Sequence, residues 1–169
     1  AFQVPFGVGQ AATIRVGYHY GAGNKHGVGH AGSAAIAISM AFMIVSASTM
    51  LIFPRFILSA YVDVNAPENA VLVAFALQFL FVAAIFQLTD GLQAVVAGAL
   101  RGIQDTRVPM MIALFGYWVA GFATSAALGL FTPLEGVGVW IGLAVGLTAA
   151  AILLLVRWHW RERFHLAPM

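Results

Sequence analysis

The chain contains no cysteine, so it carries neither a disulfide framework nor a thiolate centre, and nothing in it marks a redox compartment. Charge is scarce too: Asp, Glu, Lys and Arg make up 8% of 169 residues, against about 25% in a typical soluble domain. The net charge of +2 lies in short clusters between apolar runs, without the broad basic patch that nucleic-acid binding needs. An initiator Met, a basic leader and a signal-peptide layout are missing as well. The chain opens with Ala1-Phe2-Gln3-Val4-Pro5 inside an apolar run, and the expectation is a piece whose upstream part is absent. Apolar residues are abundant instead, at 62%, with a mean hydropathy of +0.92. No fold of this length has an interior large enough to hide that much apolar surface, so the outside must be apolar too. The expected partner of such a surface is a lipid bilayer.

Five apolar segments follow, each bounded by polar or turn residues. A helix needs about 20 apolar residues to cross roughly 30 Å of hydrocarbon. The expected spans cover about 1–20, 33–60, 66–100, 109–131 and 136–156, within a single membrane domain over residues 1–169. The third opens on Asn65-Ala66-Pro67-Glu68, which reads as an N-cap with Pro in the first turn and Glu three positions on. It is longer than a bilayer is thick, which implies tilt, a kink near Gly91 or an end in water. Alternate connections then fall on opposite sides of the membrane. One side receives Lys25, Arg101, Arg107, Arg157, Arg161 and Arg163, with Arg15 at the end of its helix; the other receives Asp63, Glu68 and Glu135 and the single cation Arg55. The positive-inside bias places the first side, and the C-terminal tail, in the cytoplasm. The tail Arg157-Trp158-His159-Trp160-Arg161 reads as an interfacial anchor. Gly138, Gly142 and Gly146, with Gly17-Gly21 and Gly98-Gly102, have the four-residue spacing that lets membrane helices approach closely.

The polar residues that lipid should reject carry the functional signal. Asp90 lies well inside the third span, where an ionised carboxylate costs about 2.5–3.5 kcal/mol on insertion scales, so it should face protein or a wet cavity. At 100° per residue Gln87, Asp90, Gly91, Ala94, Gly98 and Arg101 share one face, with Gln93 at its margin. Such a stripe suits a helix lining a cavity, with Asp90 as an ion or proton site and Gln87, Gln93, Gly91 and Ala94 as lining. The competing reading is a protonated Asp90 that serves only as interhelical glue. Other candidates are weaker. His26 and His30 have ligand-like spacing, but Gly27 and Gly29 argue against a helix there, and a solvated loop is expected. Gly21-Ala22-Gly23-Asn24-Lys25 lacks the full phosphate-loop pattern and the strand before it. Arg15 and His19 sit where snorkelling accounts for both. No Ser/His/Asp triad, metal cluster or paired-carboxylate arrangement suggests an enzyme, and no cofactor is expected.

Several stretches resemble MATE (multidrug and toxic compound extrusion) transporters, most closely their NorM-like branch. Gly7-Val8-Gly9-Gln10-Ala11-Ala12-Thr13-Ile14-Arg15-Val16-Gly17, with Gly21-Ala22-Gly23-Asn24, is similar to the family's eighth helix and the loop after it. Phe86-Gln87 through Asp90-Gly91-Leu92-Gln93 is similar to the tenth. Leu100-Arg101-Gly102-Ile103-Gln104-Asp105-Thr106-Arg107-Val108-Pro109 resembles the connection to the eleventh, and Gly138-Val139-Trp140-Ile141-Gly142-Leu143 the twelfth.

The resemblance implies an all-α membrane protein with five transmembrane helices, a partial C-terminal lobe of a twelve-helix transporter. It implies a secondary antiporter in a bacterial inner membrane that exchanges Na⁺ or H⁺ for organic, often cationic, drug-like compounds. Asp90 matches the family's tenth-helix carboxylate at the cation site, so Na⁺ would bind there. The acidic residue of the seventh helix and the whole N-terminal lobe are expected from outside this chain. Phe86 stands where an aromatic hydroxyl is frequent in the NorM-like branch, which weakens the case for Na⁺. Two other readings stand beside this one: a lipid-linked sugar flippase of the same superfamily, and a non-transporting membrane subunit.

Overall fold

The computed structural model describes residues 2–133 and 135–162, with Glu135 in backbone only. The expected first span's start at Ala1, the charge of Glu135 and Arg163 of the tail lie outside these described residues. The helices are α1 (Gln3–Gly21), α2 (Lys25–Ile52), α3 (Pro54–Ser59), α4 (Ala70–Gly102, preceded by a 3₁₀ turn at Pro67–Asn69), α5 (Arg107–Leu114), a π-helical stretch (Phe115–Phe122), α6 (Ala123–Phe131) and α7 (Glu135–His159). The stretch from α5 to α6 is one unbroken helical run, Arg107–Phe131. Among the described residues, four helices are long and apolar enough to cross a membrane: Lys25–Ile52, Pro67–Gly102, Arg107–Phe131 and Gly136–His159. α1 spans 19 residues, roughly 28 Å at 1.5 Å per residue, and is interrupted by Gln10, Arg15 and His19. Large side chains such as Ile14, Phe56, Val71, Trp118 and Phe131 stay exposed, the arrangement of a protein whose solvent is apolar.

Three boundaries differ from the sequence reading. Helix α2 starts at Lys25, so His26 and His30 are helical and not in a loop. The Asn24 side chain accepts a hydrogen bond from the Gly27 N–H at 2.8 Å, and this cap offsets the glycines. The second helix also breaks at Phe53, because Pro54 excludes the residue before it from helical geometry. Before α4, Asn65 is not the cap. The Asp63 carboxylate accepts from the Asn65 N–H, and the Asn69 amide donates to the Asp63 carbonyl, so the chain enters through a turn built on Asp63.

Helix α4 is the axis of the bundle and packs against α1, α2 and α7; α7 in turn packs against the π-helical stretch and α6. Its seam with α1 is made by small residues. A Cβ on Gly98 would run into the backbone of Gly9, and one on Gly102 would meet the Thr13 carbonyl oxygen at 2.8 Å. The Thr13 hydroxyl lies 2.9 Å from the Gly98 carbonyl and 3.0 Å from that of Gly9, which ties the two backbones together. On α7, Gly138, Gly142 and Gly146 lie against Leu128, Ser125 and Gly116/Gly121, so the glycine spacing does mark a seam within the chain.

One end of the bundle is closed by the last turns of α7. Trp158 is not interfacial: it is buried with Val16, Val28, Val96, Leu100 and Leu154, and its ring covers Gly32 of α2. The Arg161 guanidinium lies 4.6 Å from the centre of that ring. Arg157 pairs with Asp105 at 2.5 Å, with side chains 15% and 6% exposed. Asp105 is placed by the turn that ends α4, where Gln104 takes φ 64° and the N–H of Asp105 reaches back to the Leu100 carbonyl. Removing either partner of such a pair leaves a buried charge, at a cost of about 3–5 kcal/mol.

Gly98→Ala should therefore lower the melting temperature in detergent by several degrees, as overpacking of about 1–3 kcal/mol would. Gly7→Ala should not, since nothing lies within 4 Å of the added methyl. Equal tolerance of the two in thermal unfolding would contradict the seam.

Candidate functional site

Asp90 projects from the middle of α4 into a cavity of about 210 Å³ between α4, α1 and the π-helical stretch. Phe2, Phe6, Gly9 and Gln10 form the α1 wall; Asp90, Gln93, Ala94, Ala97 and Arg101 form the α4 wall; Tyr117 closes the third side. Asp90 is half-buried and is the one acid in this lining. Among the described residues nothing makes an ion pair or hydrogen bond to its carboxylate. Arg101 is about three helical turns away on the same face, too far to neutralise it. Along Gln93, Ala97 and Arg101 the cavity meets a second one of about 310 Å³, which continues toward Asp105, Thr106 and Met110.

The polar face of α4 is divided between two neighbours. Gln93 and Ala94 share the cavity with Asp90, whereas Gln87 and Gly91 do not reach it. The Gln87 amide turns to α2, where its oxygen accepts from the Ser46 hydroxyl at 3.2 Å and its nitrogen donates to the Met50 sulfur at 3.3 Å. Gly91 is covered by Met43 and Pro5. Phe86 faces α7 and stacks edge-on with Trp140, with centroids 6.0 Å apart. Arg101, on the same stripe as Asp90, does line the cavity, whereas sequence reasoning missed Tyr117 and Gln10, which were legible only as single polar groups inside apolar runs.

Gln93 is 8% exposed. Its amide nitrogen donates to the Tyr117 hydroxyl, and among the described residues its buried amide oxygen has no partner. An orphaned buried acceptor costs about 1–3 kcal/mol until a donor or a cation arrives. Among the described residues no group of three or more His, Asp or Glu could hold a metal ion, so Asp90 stands as a single carboxylate and not as part of a metal cluster. A lone half-buried carboxylate has the chemistry to hold a monovalent cation or a proton. On its own, without the neighbouring space it meets, this cavity is smaller than the roughly 300–1,000 Å³ of a drug-sized pocket.

Long apolar helices, joined by small-residue seams around a half-buried carboxylate, define an α-helical integral membrane protein. The chain belongs to the MatE family, whose model matches residues 1–127. It is 47% identical over 163 residues to the "Probable multidrug resistance protein NorM" of Mesorhizobium japonicum, covering 96% of this chain and 35% of that protein. It is 45% identical over 159 residues to the "Multidrug resistance protein NorM" of Burkholderia vietnamiensis, covering 94% and 34%. The chain thus spans about a third of the length of the curated relatives it matches. The fold is that of the eukaryotic MATE transporter AtDTX14, with a TM-score of 0.80 at 24% identity over 96% of this chain and 36% of that one. An inward-facing multidrug resistance MATE family transporter of the MOP superfamily matches with a TM-score of 0.78 at 20% identity, over 92% and 35%.

The absence of native cysteine allows the cavity to be mapped by single substitutions. In the complete protein, Ala94→Cys and Ala97→Cys should react with a small water-soluble methanethiosulfonate reagent. Gln87→Cys and Val95→Cys should stay silent. Reaction at Gln87→Cys as fast as at Ala94→Cys would refute the division of the α4 face.

Proposed function

We propose that this chain forms part of a secondary active exporter in which Asp90 takes up the coupling cation, Na⁺ or H⁺, in exchange for organic, often cationic, compounds. The observation that carries the reading is a half-buried carboxylate, unpartnered among the described residues, on a cavity of about 210 Å³. The names of the relatives, multidrug resistance proteins, support drug-like compounds as the exported class.

The physical logic is one of charge compensation. An ionised carboxylate at membrane depth is costly, and a cation or proton bound to it removes most of that cost. When the bundle rocks and water enters from the other side, the carboxylate is solvated again and the cation leaves. A cationic compound drawn to the same negative charge competes with the coupling cation, so the two ligands occupy the site in alternation. The drug-sized part of the binding space needs further walls. In this reading they come from the N-terminal lobe and the seventh helix, which would also bring a second acidic residue. The protein would sit in the bacterial inner membrane, and the bias of Lys25, Arg101, Arg107 and Arg157 would put the C-terminus in the cytoplasm.

Asp90→Asn keeps the shape and polarity of the side chain and removes its charge. In the complete protein it should insert and purify normally, yet lose Na⁺- or pH-driven efflux of a fluorescent organic cation from proteoliposomes. Efflux at the parent rate across pH and Na⁺ would end the proposal.

A further inference from the structure

A larger cavity, of about 560 Å³, lies between α1 and α2 at the end where the turn 22–24 joins them. Helix α2 is long enough to cross a membrane and begins at Lys25, so this end lies at the membrane–water boundary whichever way the protein faces. The cavity is amphipathic. Its rim carries Arg15 and His19 from α1 and His26 and His30 from α2, while Val8, Ala11, Ala34, Ala35 and Ile38 line its depth. Among the described residues no acid lines it.

The rim is built by local sequence. The Asn24 cap makes the first turn of α2 helical, which brings His26 and His30 onto one face with their Nε2 atoms 3.1 Å apart. The His19 ring lies where a Cβ on Gly27 would stand, so the glycine seats that ring beside the pair. Arg15, one turn before His19, is exposed and completes the rim. Deeper in, alanines at 11, 34 and 35 leave open a groove that larger side chains would close.

Charge and depth together select the occupant. A guanidinium and three imidazoles offer N–H donors with no carboxylate to compete, which suits an anion and repels an organic cation. From Val8 to His19 the groove follows α1 for roughly 16 Å at 1.5 Å per residue, close to half of a hydrocarbon core of about 30 Å. A neighbouring transmembrane helix would need a groove along the whole span, and a small free anion would have no use for the apolar depth. We propose that this cavity holds an anionic phospholipid of the adjoining leaflet, with its phosphate at Arg15 and the histidines and one acyl chain in the alanine-lined groove. The lipid lies on the other flank of α1 from the Asp90 cavity: Gly9 and Gln10 face the latter, Ala11 and Arg15 the former.

The test uses the complete protein, purified in detergent and titrated with phosphatidylglycerol, phosphatidylcholine of the same chains, or glycerol phosphate, with bound molecules counted by native mass spectrometry. One phosphatidylglycerol should be held about tenfold more tightly than phosphatidylcholine, the scale of one charge-assisted hydrogen bond, and glycerol phosphate should not be held. Arg15→Gln should weaken phosphatidylglycerol binding about tenfold. Ala34→Phe, at an exposed position, keeps every charge and fills the groove, and should weaken it as much. Arg55→Gln, at an exposed cation on α3, should leave it unchanged. In the unaltered protein, phosphatidylglycerol with a diazirine near the end of one acyl chain should crosslink to the peptides that carry Val8 or Ile38. Equal binding of the two lipids, indifference to Arg15→Gln or Ala34→Phe, equal losses in Arg15→Gln and Arg55→Gln, or glycerol phosphate held as tightly as the lipid would each overturn the proposal. So would crosslinks confined to helices other than α1 and α2, the result expected if another part of the complete protein fills the groove.

Discussion

Where Gly98 meets Gly9, two helix backbones touch with no side chain between them, and the position of the site follows from that contact. In water, helices associate by burying apolar surface; in lipid that drive is gone, and close approach of backbones has to supply the attraction. α1 and α4 reach it through Gly9, Gly98, Gly102 and the Thr13 hydroxyl. Alongside that seam Gly9, Gln10, Asp90 and Ala94 line a cavity that the two helices leave beside the π-helical stretch. On the far side of α4 the same device recurs between α7 and the π-helical stretch, where Gly116, Gly121, Gly142 and Gly146 interlock. The cavity is the space between these two seams, which explains why a carboxylate can stand there without being crushed or neutralised.

The chemistry of the cavity is economical. One carboxylate, two amides (Gln10 and Gln93), one phenol hydroxyl (Tyr117) and one guanidinium (Arg101) are its polar groups, and the remainder is glycine, alanine and phenylalanine. The Arg157–Asp105 pair, by contrast, is closed and buried, and belongs to the anchoring of α7 on the α4–α5 turn. The two carboxylates thus differ in surroundings: Asp105 has a cation built in, and Asp90 has none among the described residues.

Much of the fold was legible because the length of an apolar run is a direct reading of membrane helices. What escaped the sequence was governed by contacts between elements. The start of α2 at Lys25 depends on the Asn24 side chain outweighing Gly27 and Gly29. Trp158 and Arg157 looked interfacial by composition, yet the first fills the gap over Gly32 and the second finds Asp105, 52 residues earlier in the chain. For the site, 100° periodicity grouped Gln87 with Asp90 correctly as one helical face. But α4 has neighbours on several sides, so Gln87 is taken by Ser46 and Met50 while Gln93, at the margin of the stripe, reaches the cavity. Periodicity on one helix cannot name the residue opposite, and Tyr117 could not be found from it.

The central claim is that Asp90 is a reachable, exchangeable carboxyl and not interhelical glue. Dicyclohexylcarbodiimide reacts with protonated carboxyl groups in apolar surroundings, and mass spectrometry of peptides locates the adduct. In the complete protein the account predicts modification at Asp90 that quickens as pH is lowered and is suppressed by a saturating organic cation. An Asp90 that stays unmodified, or that reacts at a rate indifferent to pH, Na⁺ and the organic cation, would contradict it.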